Sequence, residues 1–166
     1  MHSKLSVLAL SIAFAGAALA QNKTSAEADI KARGEAFAAA WTKHDAKAMA
    51  ALWSADGDLI DPFGASARGR TDIEKFFQEQ HTGVMKGTTY TMLGQTVRML
   101  TPEVAVADWD TNITGMKLAD GKDAPALKHH VTIVLTREAS QWYFVAARPV
   151  IYAPTPAGGT NPKPAK

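Results

Sequence analysis

Apolar residues recur at helical intervals along the first half of the chain and at alternate positions along the second, with the change near Gly87. Ile30, Gly34, Phe37 and Trp41 follow one another at spacings of four, three and four, which puts them on one face of a first helix behind the capping-box pattern Thr24-Ser-Ala-Glu27. Gly34 on that face would allow close approach to a neighbour. A second, short helix is expected from Asp45 as N-cap, presenting Met49, Leu52 and Trp53 before Asp56-Gly57 stops it. Thr71-Asp-Ile-Glu74 is a further capping box, opening a third helix with Ile73, Phe76 and Phe77 inward and Gly83 at its C-terminal end.

Beyond Gly87 the chain turns β-branched and aromatic. Thr88 to Leu100, Val104 to Thr114, Lys128 to Arg137 and Trp142 to Tyr152 predict four strands. The segments between them, Thr101-Pro-Glu103, Gly115 to Ala126 and Glu138 to Gln141, are polar or turn-forming, so an antiparallel meander follows. A short extra strand is expected near Leu59 to Asp61. Helices first and strands afterwards predict an α+β layout, a curved, mainly antiparallel sheet wrapped around helices on one face. Such a half-open cone has a mouth and an apolar interior, a shape that small-molecule sites occupy.

Both ends of the chain read differently from this domain. Lys4, the apolar run Leu5 to Ala15 and the small-x-small triplet Ala18-Leu19-Ala20 form the pattern of a cleaved signal peptide over 1–20. The expected product starts near Gln21 and is periplasmic or secreted. Residues 154–166 carry four prolines and nothing apolar larger than alanine, which predicts a disordered tail. The folded domain is then 24–153, and no later apolar run reaches the length of a membrane span.

Composition removes several classes of chemistry. The chain has no Cys, which excludes disulfides, thiolate metal sites and cysteine nucleophiles. The 18 Lys and Arg against 16 Asp and Glu are spread without a basic run, so a nucleic-acid partner is not expected. There is no Gly-x-Ser-x-Gly elbow and no glycine-rich phosphate loop. His129 and His130 are adjacent on a strand and point to opposite faces, which argues against a shared metal ion. Asp108 and Asp110 share a face, as do Arg148 and Tyr152. Arg148 interrupts an apolar strand and needs a partner, for which Asp61, Asp110 or an anionic ligand are the choices. His81 ends the third helix, where a cation suits the helix dipole.

The stretch from His44 to Gln80, followed by long strands and the terminal Trp142-Tyr-Phe-Val-Ala-Ala-Arg148, resembles the nuclear transport factor 2-like superfamily, in particular its SnoaL-like and ketosteroid-isomerase-like branches. The resemblance implies a cone-shaped α+β barrel of the cystatin-like kind, commonly a homodimer through the outer face of its sheet. Trp109, Val131, Ile133 and Tyr143 are the expected apolar contributors to that face. In the isomerases the segment matching Leu59-Ile-Asp-Pro-Phe63 carries the catalytic base, which would make Asp61 a general acid/base on a small apolar or carbonyl-containing molecule, without a cofactor. The residues alone leave open that Asp61 only closes a turn. The family's oxyanion tyrosine falls on Phe37, and no carboxyl stands early in the strand Lys128 to Arg137, so classical steroid isomerisation is not expected. Arg148 and His130 are the expected charge-holding partners of Asp61. Phe37, Trp41, Trp53, Phe63, Phe77, Tyr90 and Trp109 are the expected pocket lining. Two functions remain: isomerase-, cyclase- or lyase-type acid–base chemistry, or a non-catalytic binding or dimerisation module on the same fold.

Overall fold

The structure, a computed structural model, describes residues 24–152. The expected signal peptide, 1–20, and the expected disordered tail, 154–166, lie outside the described residues. Helix α1 covers 24–42, and its inward face is the predicted one, with Ile30, Phe37 and Trp41 buried. Gly34 sits where an added Cβ would lie 2.6 Å from Gln95 Oε1 and 3.1 Å from Trp109 Cζ2, so only glycine lets the helix settle this close to the sheet.

His44, at a left-handed φ of 54°, turns the chain into helix α2, Ala46–Ala50. Asp45 caps it as expected, its Oδ1 accepting from the Ala48 N–H at 2.8 Å. The helix ends earlier than its apolar pattern suggested. Trp53 begins strand β1, Trp53–Ile60, and Asp56-Gly57 lies inside that strand instead of stopping a helix. The register of β1 shifts between Trp53 and Asp58, and a Cβ on Gly57 would come 2.8 Å from the Phe144 carbonyl oxygen. Gly57 therefore allows an irregular strand to pass its neighbour.

Strand β2, Ser66–Arg68, returns antiparallel to β1 across a turn at 61–65. Helix α3, Arg70–Thr82, is entered from Gly69 at φ 78° with no side-chain cap. The Thr71 capping box is not formed, because the helix starts two residues earlier than that box requires, with Gly69 at the N-cap position and Arg70 reaching back to the Trp53 carbonyl at 2.6 and 3.0 Å. Gly83 ends α3 as expected, its N–H bonding the Glu79 and Gln80 carbonyls.

The long strands are β3 (Thr89–Thr101), β4 (Val104–Thr114), β5 (Leu127–Glu138) and β6 (Gln141–Ile151). They form the predicted antiparallel meander, and β1 adds to β6 in parallel, giving a mixed sheet in the order β2-β1-β6-β5-β4-β3. The sheet is curved and not closed. Strict alternation sends Ala105, Ala107, Trp109, Thr111 and Ile113 of β4, and His129, Val131, Ile133 and Leu135 of β5, toward the helices. This corrects one expectation: Trp109, Val131 and Ile133 are core residues, 2%, 6% and 1% exposed, and supply no outer apolar face. Tyr143 lies instead beneath the guanidinium groups of Arg33 and Arg70. Among the described residues no helix is long and apolar enough to cross a membrane.

Candidate functional site

Phe37 is the centre of the interior. Its ring lies 5.3 to 5.9 Å from those of Trp41, Trp53, Phe77, Tyr90 and Trp109, so side chains from α1, α3, β1, β3 and β4 converge on one aromatic cluster. Above the cluster a cavity of about 410 Å³ opens between helices and sheet. All seven residues expected to line a pocket, Phe37, Trp41, Trp53, Phe63, Phe77, Tyr90 and Trp109, do line it. Phe63 and Val84 belong to the same lining and are 79% and 68% exposed, which places them at its mouth.

The polar groups of the lining are few: Asp61, Gln80, Tyr90 and His129, the three indoles apart. Trp41 donates its indole N–H to Thr88 Oγ1 at 3.0 Å, whereas the N–H groups of Trp53 and Trp109 are sealed in the wall with no partner. Thr111 supports His129 from β4, its hydroxyl lying 3.0 and 3.1 Å from the two ring nitrogens and 3.2 Å from the His129 carbonyl oxygen. Burial is the main cause that keeps the His129 pKa below the usual histidine value and pushes the Tyr90 phenol up, so both groups are neutral near pH 7.

Asp61 combines both of its readings. It lines the cavity, yet its Oδ1 accepts from the Phe63 N–H at 2.9 Å and the Ala65 N–H at 2.8 Å, closing the turn between β1 and β2.

His130 and Arg148 do not join it. His130 has the opposite parity to His129 and stands on the outer face of the sheet, where Nδ1 meets Asp110 at 2.9 Å and Nε2 meets Asp108 at 3.2 Å. Burial opposes its protonation, but these two carboxylates outweigh it and raise its pKa. Thr132 and Tyr152 donate to the same pair of aspartates. Arg148 alternates with Ala147 and Pro149, which line the cavity, and so points away from it. Its expected carboxylate partner is real but different: Nη2 lies 2.6 Å from Asp58 Oδ2.

His81 also differs from expectation. It is 5% exposed, with its ring 4.5 Å from that of Trp41, and its Nδ1 is 2.7 Å from Nδ1 of His44. Burial, with help from His44, lowers its pKa to about 4, so it is a neutral buried ring and contributes no charge at the helix end near pH 7. Among the described residues no group of three or more acidic or histidine side chains is arranged to hold a metal ion.

Alternation along β5 was the signal that could have selected His129, since it shares parity with Val131, Ile133 and Leu135. Thr111 carried the same signal beside Trp109 and Ile113. For Gln80, Val84 and Met85 the sequence held no comparable mark.

Residues 30–147 match the model of the SnoaL-like domain, which is more than half of the chain. The protein belongs to the SnoaL-like family. Solved structures agree on the fold at low identity. An uncharacterised cystatin-like protein from Caulobacter vibrioides is 21% identical over 76% of this chain and 89% of its own, with a TM-score of 0.69. A putative scytalone dehydratase from Novosphingobium aromaticivorans is 14% identical over 81% and 89%, TM-score 0.70. A ketosteroid isomerase-like protein from Erwinia carotovora atroseptica is 20% identical over 76% and 96%, TM-score 0.66. No curated protein matches the chain.

Proposed function

We propose that this is an exported SnoaL-like protein that takes a small, largely apolar molecule into the cavity between its helices and sheet. One observation carries the reading: a cavity of about 410 Å³ walled by aromatic and aliphatic side chains, with only a few convergent polar groups. An interior filled for stability alone would close over its aromatic cluster, because an empty apolar cavity forfeits dispersion contacts along its whole lining. Export rests on the pattern of residues 1–20.

Quenching of tryptophan fluorescence tests the binding, since Trp41, Trp53 and Trp109 all line the cavity. A panel of small aromatic and alicyclic compounds should include ligands that quench saturably and raise the melting temperature. Filling the mouth by Val84→Trp should weaken them. A panel in which no compound does either would refute the reading.

Acid–base chemistry at Asp61 is the second reading. It is favoured because the carboxylate lines the cavity while its backbone bonds fall on Oδ1 alone. A base there would remove a proton alpha to a carbonyl and return it elsewhere on the same ligand. The neighbours named as a putative scytalone dehydratase and a ketosteroid isomerase-like protein lend support to such chemistry on this fold, and none to a particular substrate.

A further inference from the structure

We infer that the mouth of the cavity docks on an anionic lipid surface, with Phe63 and Val84 entering the bilayer interface and Lys86 and Lys128 meeting lipid phosphates. The docking goes beyond ligand binding to the phase that the mouth faces. Only its last step, passage of an apolar ligand from bilayer to cavity, rests on the proposal that the cavity is a ligand site.

Phe63 and Val84 are the two most exposed large apolar side chains among the described residues, and both line the same cavity. They stand on separate segments, each ordered by its own backbone bonds. Phe63 is at the tip of the β1–β2 turn, where its N–H and that of Ala65 bond Asp61 Oδ1. Val84 follows α3 in a turn closed by Met85 N–H to the Gln80 carbonyl at 2.9 Å and Lys86 N–H to the Gly83 carbonyl at 3.1 Å. Leu118, also exposed, belongs to the 115–126 loop, which leaves the sheet at this same end: an added Cβ on Gly115 would lie 2.7 Å from the Gly87 carbonyl oxygen. Apolar side chains held out in water by ordered turns mark a contact surface. Separate tips around an opening suit a soft phase into which each can insert, whereas a protein face would have to match them and seal the cavity. Residues 154–166 are no substitute, since they hold nothing apolar larger than alanine.

Charge selects the kind of lipid. Lys86 lies two residues after Val84, and Lys128 is next to Leu127 of the cavity lining; both are exposed. Neither has an acidic partner among the described residues. The acidic groups of the 115–126 loop are already matched, Asp123 to Lys117 at 2.6 Å and Asp120 to Lys122 at 2.8 Å. Farther from the mouth on the outer face, Asp108 and Asp110 close on His130. Two free ammonium groups therefore stand beside one carboxylate without a cation, Asp61, which gives an oxygen to its turn. A surface of lipid phosphates offers these lysines the counter-charge that the protein withholds. A largely apolar ligand concentrates in the same bilayer, so a mouth seated there would take it up without passage through water.

Co-sedimentation with vesicles tests this on the chain from Gln21, which keeps every described element and omits the apolar run Leu5 to Ala15. The vesicles are equal parts phosphatidylglycerol and phosphatidylcholine, or phosphatidylcholine alone, with no cavity ligand added. The protein should partition onto the anionic vesicles at least about tenfold more strongly than onto the neutral ones, and high salt should remove most of the difference. Phe63→Ser combined with Val84→Ser should weaken binding at least about tenfold, and Lys86→Gln and Lys128→Gln about fivefold each. Leu100→Ser removes an exposed leucine at the opposite end of the sheet and should stay within about twofold of the wild type. A thermal melt of each variant verifies its fold. If the wild type sediments with neither vesicle, or the double serine variant sediments like the wild type, the docking surface falls, while quenching by soluble ligands still measures the cavity by itself. An equal loss in Leu100→Ser would move the contact away from the mouth and overturn the inference. Equal partition onto neutral vesicles would overturn the part given to the lysines. Self-association in light scattering that the double serine variant abolishes, without vesicle binding, would replace the lipid by a second copy of the chain.

Discussion

His44 and His81 face each other Nδ1 to Nδ1 at 2.7 Å, a separation that one proton bridges and two cannot. With His81 buried, its Nε2 sealed without a partner and its pKa lowered to about 4, the native state resists taking up a second proton. The unfolded chain takes that proton at the ordinary value of 6.5. Folding stability should therefore be full above pH 6.5 and fall as the pH drops from there toward 4, by roughly 3 kcal/mol from this residue. Chemical denaturation at pH 8 and pH 4.5 measures the loss, and His81→Leu should make it clearly smaller. An unchanged loss in the variant would show that other groups carry the acid sensitivity.

His130 has the opposite sign. Its native pKa is raised above 6.5 by Asp110 and Asp108, against the effect of its partial burial. It contributes stability that is fully present below pH 6.5 and disappears as the pH rises through the native value. Asparagine at this position should steepen the acid loss just described while changing stability little at pH 9. Ligand binding should stay unchanged, because the outer face of the sheet is not the cavity wall.

Arg148 is held to Asp58 at 2.6 Å and turned away from the cavity. Arg148→Met leaves a carboxylate with 23% of its side chain exposed and no cation, which should cost about 1 to 2 kcal/mol. The double variant with Asp58→Leu should recover most of it in urea denaturation. Loss of ligand affinity in the single variant, with the fold intact, would place Arg148 functionally in the cavity after all.

At Asp61, asparagine keeps the Oδ1 acceptor that the Phe63 and Ala65 N–H groups use, so stability should move by less than about 1 kcal/mol and ligand binding should persist. If turnover is found, the same variant should reduce it at least about a hundredfold, the ordinary contribution of a general base. Steady-state rates with a thermal melt on the same sample separate the two roles. Undiminished turnover would leave Asp61 as a turn residue.

Gly34→Ala meets two opposing effects. Alanine favours the helix by about 1 kcal/mol, but its Cβ would arrive 2.6 Å from Gln95 Oε1 and 3.1 Å from Trp109 Cζ2. Gln95 can move aside and the packed indole cannot, so the overpacking cost of about 1 to 3 kcal/mol should win and the melting temperature should drop. A raised melting temperature would mean that α1 can lift from the sheet without penalty.

Much of the fold was legible in the chain because its signals are local. The periodicity of α1, the Asp45 cap, the Gly83 stop and the four long strands depend on residues within one or two turns of each other, and the structure has them nearly where the pattern puts them. The errors share one origin. Trp53 fitted a helical stripe, and Thr71 fitted a capping box, until pairing of β1 with β6 and the reach of Arg70 to the Trp53 carbonyl drew those residues into other roles. Such long-range pairing leaves no mark on the segments that take part in it.

The candidate site divides along the same line. Sequence alone determined which aromatic residues are available, that His129 and His130 must part company, and that Arg148 needs an anionic partner, since these follow from side-chain chemistry and strand alternation. Tertiary structure decided which face is the inner one. That choice rests on the order in which six strands pair and on the side that α1 and α3 cover, and one step of parity exchanges every residue of a strand between cavity and outer surface. It sent His129 to Tyr90 and Thr111, and His130 and Arg148 to the aspartates behind them.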